Sequence, residues 1–279
     1  MRRNHLTRVS SGCLLCLLSL LAGCGFNMAS HDMQAKYERT VQLSAALARG
    51  SLFAAETYDG FITINGADVG DCNLTATIFA RASTEENARK LAEKTKVRLE
   101  RFGHKLTLKV DKPILWRNQF VGVGLDAQVP CQTNLELVAH NGAIGIASMA
   151  SRINATTYNG DATVEELSGS AVLTTHNGSI TCKEISGVAR PTTYNGSIRI
   201  YCSEAARSAC DISAATFNGG IEFAAPPDFS ATVEASTQNG SVNAELPIAI
   251  SSSELKGTIG TGQGKLHLET HNGSISIKQ

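Results

Sequence analysis

Along most of the chain apolar and polar residues alternate with period two, as in strands that bury one face. Ala171, Leu173, Thr175 and Asn177 share one side, and after Gly178 the series continues through Ile180, Cys182 and Ile185. The same order runs from Ile153 through Ala155, Thr157 and Asn159 to Ala162, Val164 and Leu167. It returns near the C-terminus as Leu266, Leu268, Thr270, Asn272, Ile275 and Ile277. No helical period fits these stretches. One segment differs. Ser83 and Glu86 have capping-box spacing, and Ala88, Leu91, Thr95, Leu99 and Phe102 form a helical stripe that Gly103 closes. This predicts one amphipathic helix, followed by strands over 104–110 and 121–129.

The alternation is organised by a repeat. Asn-Gly occurs at Asn141, Asn159, Asn177, Asn195, Asn218, Asn239 and Asn272, with spacings of 18, 18, 18, 23, 21 and 33. Asp59-Gly60 is an earlier copy, and Thr stands two positions before every Asn except at Ala139. An 18-residue unit cannot bury its own apolar face. Stacking copies at about 4.8 Å makes one continuous core. The predicted fold is all-β, a single-stranded β-solenoid with one inserted helix. Its glycines serve positive φ, and its corner residues, Asp59 and the seven asparagines, point inward as an amide ladder. The competing arrangement is a meander of Asn-Gly hairpins. It does not account for residue identities repeating on both sides of the turn. The inserted helix is expected to cover the open end of the stack, where strand edges would otherwise be exposed.

The N-terminus reads as an address. Arg2, Arg3 and Arg8 precede a short apolar run over 13–21, and Leu21-Ala22-Gly23-Cys24 resembles the lipobox of bacterial lipoproteins. The expectation is cleavage after residue 23 and acylation of Cys24, with Gly25 pointing to the outer membrane rather than inner-membrane retention. This divides the chain into a signal peptide over 1–23 and a tether over 24–37. An N-terminal rung with the helical insert follows over 38–134. The repeats over 135–279 form one continuous domain with it. Removing 1–23 leaves 22 basic and 25 acidic residues, a net charge of −3. Such a body calls for attached acyl chains to hold it on a membrane and excludes a broad basic surface for nucleic acid.

Besides the acylated Cys24, five cysteines remain in the mature chain: Cys72, Cys131, Cys182, Cys202 and Cys210. Cys202 and Cys210 flank a polar excursion that lengthens one repeat, and are expected to form a disulfide; Cys72 and Cys131 are a second pair. Cys182 is then a free core thiol. No CxxC pair survives to suggest a metal ribbon.

With the Asp-Gly-Phe-Ile-Thr-Ile start at 59–64, the inserted helix, Val129-Pro130 before Leu135 and the recurrent Thr-x-Asn-Gly-Ser-Ile, the chain resembles the DUF4097 family of bacterial envelope proteins over residues 38–279. The family is regarded as one of candidate adhesins. The resemblance implies a right-handed β-helix and an adhesin-like role.

If Thr and Asn point inward, the residue before each Asn points outward. His140, Tyr158, His176, Tyr194 and Phe217 then form an outward strip, continued by Gln238 and His271. Such a strip is either a ligand surface for a glycan or envelope protein or a packing ladder of mutually shielding rings. Asp161, Glu165, Glu166 and Glu184 read as solvated acids, with calcium binding the alternative. No cofactor or metal is indicated, and no nucleophile elbow, P-loop, HExxH or dinucleotide fingerprint occurs. The reading is a non-catalytic, envelope-anchored binding module. A structural scaffold is the alternative, and a polysaccharide-active enzyme a minor one.

Overall fold

The computed structural model describes residues 35–204, 210–245 and 253–278. The signal segment, Cys24 and most of the tether lie outside the described residues. The described residues form two sheets of eleven strands each. In the repeat region it crosses from one sheet to the other at every Asn-Gly. Strands β8 (Asn134–Asn141), β10 (Arg152–Asn159), β12 (Ser170–Asn177), β14 (Val188–Asn195) and β16 (Asp211–Asn218) lie parallel in one sheet. Strands β9 (Ile144–Met149), β11 (Ala162–Leu167), β13 (Ile180–Ile185), β15 (Ile198–Cys202) and β17 (Ile221–Ala224) lie parallel in the other.

The register keeps like residues in columns. Leu135, Ile153, Ala171, Ala189 and Ile212 are successive partners in the first sheet, all buried. Ile144, Ala162, Ile180, Ile198 and Ile221 do the same in the second. Each fully buried Leu or Ile contributes about 1.5–3 kcal/mol, so every rung depends on the next to cover its face. In three successive repeats one residue near the end of the second strand, Ser148, Glu166 or Glu184, takes positive φ, at 57°, 54° and 52°.

At the N-terminal end β2 (Leu52–Asp59) and β3 (Ile62–Ala67) supply the first rung. Beyond it, one sheet continues through β7 (Phe120–Pro130), then β4 (Asp71–Ala82) and β1 (Ala35–Ala46), the last two pairings being antiparallel. Helix α1 (Glu85–Lys94) buries Ala88, Leu91 and Ala92 and packs on β1 and β4. The helix is shorter than its stripe predicts. Thr84 is the N-cap, accepting from the Asn87 N–H, and the Thr95 hydroxyl donates to the Leu91 carbonyl at its end. Leu99 and Phe102 lie instead on β5 (Lys96–Phe102), which pairs antiparallel with β6 (Lys105–Asp111) through a turn at Gly103. Residues 96–102 carry both periods, and pairing with β6 selects the strand.

The C-terminal end departs from chain order. Strand β18 (Ala231–Asn239) does not lie against β16. Strand β21 (Gly264–Asn272) is inserted between them, pairing parallel with both, and β20 (Glu254–Ile259) covers the outer edge of β18 antiparallel. In the other sheet β22 (Ile275–Lys278) likewise separates β17 from β19 (Val242–Ala244). The long spacing between Asn239 and Asn272 thus accompanies a last rung that lies between β16 and β18 rather than beyond β18.

Candidate functional site

Three columns of side chains meet along the Asn-Gly edge. The innermost is threonine. Thr157, Thr175, Thr193, Thr216 and Thr270 are buried, and each hydroxyl donates to the corner glycine carbonyl of the neighbouring rung at 2.8–2.9 Å. Thr237 donates likewise to the Gly273 carbonyl, and Thr57 to that of Val123. The corner glycines are required by close approach. A Cβ on Gly178 would stand 2.0 Å from the Gly160 carbonyl oxygen.

The corner column is the amide ladder. Each Asn Nδ2 donates to the Oδ1 of its neighbour: Asn159 to Asn141, Asn177 to Asn159, Asn195 to Asn177 and Asn218 to Asn195, at 2.8–2.9 Å. Asn141 donates to Asp59 at 3.0 Å. One feature of the sequence reading is corrected. The amides are on the exposed corner, because the strand turns at Asn before its side chain can enter the core. Asn272 is interior, bonded to both Asn218 and Asn239, and Asn239 is the terminal member.

The third column is the ring strip. Tyr58, His140, Tyr158 and His176 form one face-to-face stack, with centroid separations of 4.2, 5.0 and 4.9 Å. Tyr194, Phe217 and His271 form a second, at 4.9 and 4.5 Å. Tyr58 was not in the predicted strip, although it precedes Asp59 as the other rings precede Asn. The His140 Nε2 lies 3.1 Å from Glu56 Oε1. Tyr158 stands between His140 and His176, so they share no ligand.

Stacking covers ring faces and leaves edges to solvent. Among the described residues no ring contact joins His176 to Tyr194, although they occupy neighbouring rungs. There the ladder divides, and a shallow cavity of about 450 Å³ runs along the strip over four neighbouring rungs, from Thr174 and His176 past Tyr194 and Phe217 to Glu269 and His271. Its floor is made of small outward side chains and its wall of rings.

The acids do not converge. Glu165 pairs with Lys183 at 2.7 Å, Glu166 accepts from the Ser148 hydroxyl, and Asp161 accepts from the Ser179 N–H. Among the described residues no group of three or more His, Cys, Asp or Glu side chains is placed to hold a metal ion. All five cysteines are free thiols here. The Cys202 and Cys210 thiols are hydrogen-bonded to each other, with Cys182 nearby, and that bond with burial pushes the Cys202 thiol far up. Burial raises Cys182 and Cys72 to about 12. Cys182 takes the position of Val164 and Ile200 in adjacent rungs. Cys72 faces Ala45 across the pairing of β4 with β1.

The columns and paired sheets define a repetitive all-β protein built by stacking one corner motif. The Toastrack DUF4097 model matches residues 132–278, and the chain belongs to that family. No curated protein matches it significantly. Among solved structures it is similar to a candidate adhesin from Bacteroides fragilis, with 16% identity, TM-score 0.41 and coverage of 86% of this chain and 97% of that one. A candidate cell adhesion protein from Clostridium sporogenes is 12% identical with TM-score 0.37, covering 86% of this chain and 100% of that one. One from Parabacteroides merdae, a candidate adhesin, is 7% identical with TM-score 0.35, covering 89% and 98%. Likeness at this level carries no functional argument.

Proposed function

We propose that this chain is a non-catalytic envelope protein, held on the outer membrane by an acylated Cys24, whose ring strip binds a glycan at the gap between His176 and Tyr194. In this reading the paired sheets are one right-handed, single-stranded β-solenoid, the hand following from the family resemblance. The observation that carries the function is the division of the ring ladder. A pyranose has an apolar face and hydroxyl edges. Beside the gap an aromatic wall meets Thr174 and Thr192, and the same groove continues past Phe217 to Glu269, two rungs beyond Tyr194. Glu269 is the one carboxylate among the lining residues, whereas glycoside hydrolysis commonly uses a pair.

The competing reading is a scaffold without a ligand. It is favoured by the stacks themselves, whose ring faces are occupied by one another. Glycan-array binding by the full chain decides between them. Tyr194→Ala should lose roughly tenfold or more in affinity, of the order expected for an aromatic anchor. Tyr58→Ala, at the far end of the same strip, should bind like the parent. An absence of glycan binding by the parent would favour the scaffold, and equal loss in both variants would move the binding site away from the gap.

A further inference from the structure

The surface loop between β6 and β7 carries three consecutive exposed apolar residues. Ile114 is 86% exposed, Leu115 39% and Trp116 77%. Scattered apolar side chains on a surface are ordinary, but a contiguous group at the tip of a loop marks an interaction site. The tip is held out by the loop's own bonds. The Gln119 N–H donates to the Trp116 carbonyl at 3.1 Å, and the Trp116 N–H donates to Gln119 Oε1 at 3.0 Å. Asn118, at φ 65°, occupies the third position of that turn, where a type II turn needs positive φ. At the loop's base the Lys112 ammonium donates to the Val121 carbonyl at 3.0 Å.

The topology supplies a second, independent observation. Lys36 on β1 faces Arg81 on β4, and Arg81 faces Phe120 on β7. The first residues of β1 and the end of the loop therefore share one sheet end, two strand spacings or about 9.6 Å apart. The chain from Cys24 enters β1 at this end. The ten residues between Cys24 and Ala35 reach at most about 36 Å. A bilayer holding acyl chains on Cys24 is thus within reach of the loop tip.

We infer that Ile114, Leu115 and Trp116 dock this end of the molecule on a lipid bilayer, seating in the boundary between headgroups and acyl chains beside the anchor. This rests on the reading of Cys24 as the lipidated residue. Tryptophan suits that boundary because its ring is apolar and its indole N–H is polar. Exposed Lys36, Arg81 and Arg117 border the tip and suit anionic headgroups. Asp111 and Glu86, acids in this region, are paired with Arg98 and Lys90 at 2.6 Å. Glu38 and Glu85 offset some of the positive charge, so the apolar tip carries the affinity.

Trp116 is the only tryptophan in the chain, so its fluorescence reports this loop alone. The full chain, purified from a Gram-negative host, is mixed with vesicles of phosphatidylethanolamine and phosphatidylglycerol. The expected result is a blue shift of Trp116 emission, quenching by brominated acyl chains and protection from aqueous acrylamide. Ile114→Asp and Leu115→Asp should leave thermal unfolding unchanged and reduce the brominated-lipid quenching roughly tenfold, because a carboxylate is costly to place against acyl chains. Flotation with vesicles but no quenching by brominated lipid would overturn the docking and leave the anchor intact. A shift produced only by an added envelope protein would also overturn it. The anchor is tested separately: Cys24→Ser should lose detergent-phase partitioning, and failure of that arm alone would leave a Trp116 response standing.

Discussion

Thr175 is buried, and its hydroxyl donates at 2.9 Å to the carbonyl of Gly160 one rung away. Valine would fill nearly the same volume without a donor, leaving that carbonyl short of a partner where the rungs pack closest. Thr175→Val should destabilise the protein by about 1–3 kcal/mol. The opposite test is available at Ala139, which is fully buried at the equivalent place beside Gly60 and has no hydroxyl to offer. Ala139→Thr should stabilise by about 0.5–1.5 kcal/mol by adding the missing bond. Thermal unfolding of both variants reads the result, and an unchanged midpoint for Thr175→Val would show that the hydroxyl column is not structural. The recurrence of threonine was visible in the sequence, but its partner was not. The bond runs to a backbone carbonyl in another rung, and no spacing along the chain encodes that.

At the scale of elements, the excursion between β15 and β16 lengthens one repeat from 18 to 23 residues. Cys202 and Cys210 bracket it with their thiols in contact, and the Cys210 sulfur also lies 3.9 Å from the Ile185 carbonyl. Oxidation by a disulfide oxidant such as oxidised glutathione should link these two and leave Cys182 free. Closing so short a loop should stabilise by about 2–3 kcal/mol on the chain-entropy model. The raised Cys202 thiol pKa slows exchange through that sulfur at neutral pH, because the thiolate is the attacking species. Non-reducing peptide mapping distinguishes the outcomes, and a link from Cys182 to either partner would refute the pairing. The strands on either side were legible because period two and residue identity agree there. The extent of α1 was not, because Leu99 and Phe102 fit a helical stripe as well as they fit β5. The place of β21 was hidden for another reason. Its sequence is an ordinary rung, and only a neighbouring edge left open by β16 draws it inward past β18.

For the whole molecule, a stack in which each rung touches only its neighbours makes position along the stack an energetic variable. The amide ladder tests this, because its members are chemically alike and similarly placed at the corner. Asn177 is bonded to Asn159 on one side and Asn195 on the other, whereas among the described residues the Asn239 amide is bonded to Asn272 on one side only. Water reaches these corners, so a lost amide partner is partly replaced and the cost is that of the bond rather than of a buried orphan. At about 0.5–1.5 kcal/mol per bond, Asn177→Leu should cost about twice as much as Asn239→Leu. Asn272→Leu should resemble Asn177→Leu despite lying seven residues from the end of the chain, because Asn218 and Asn239 flank it. Chemical denaturation of the three variants measures the order. If Asn272→Leu matched Asn239→Leu and both fell below Asn177→Leu, distance from the chain end would be setting the cost. The inserted position of β21 between β16 and β18 would then be wrong.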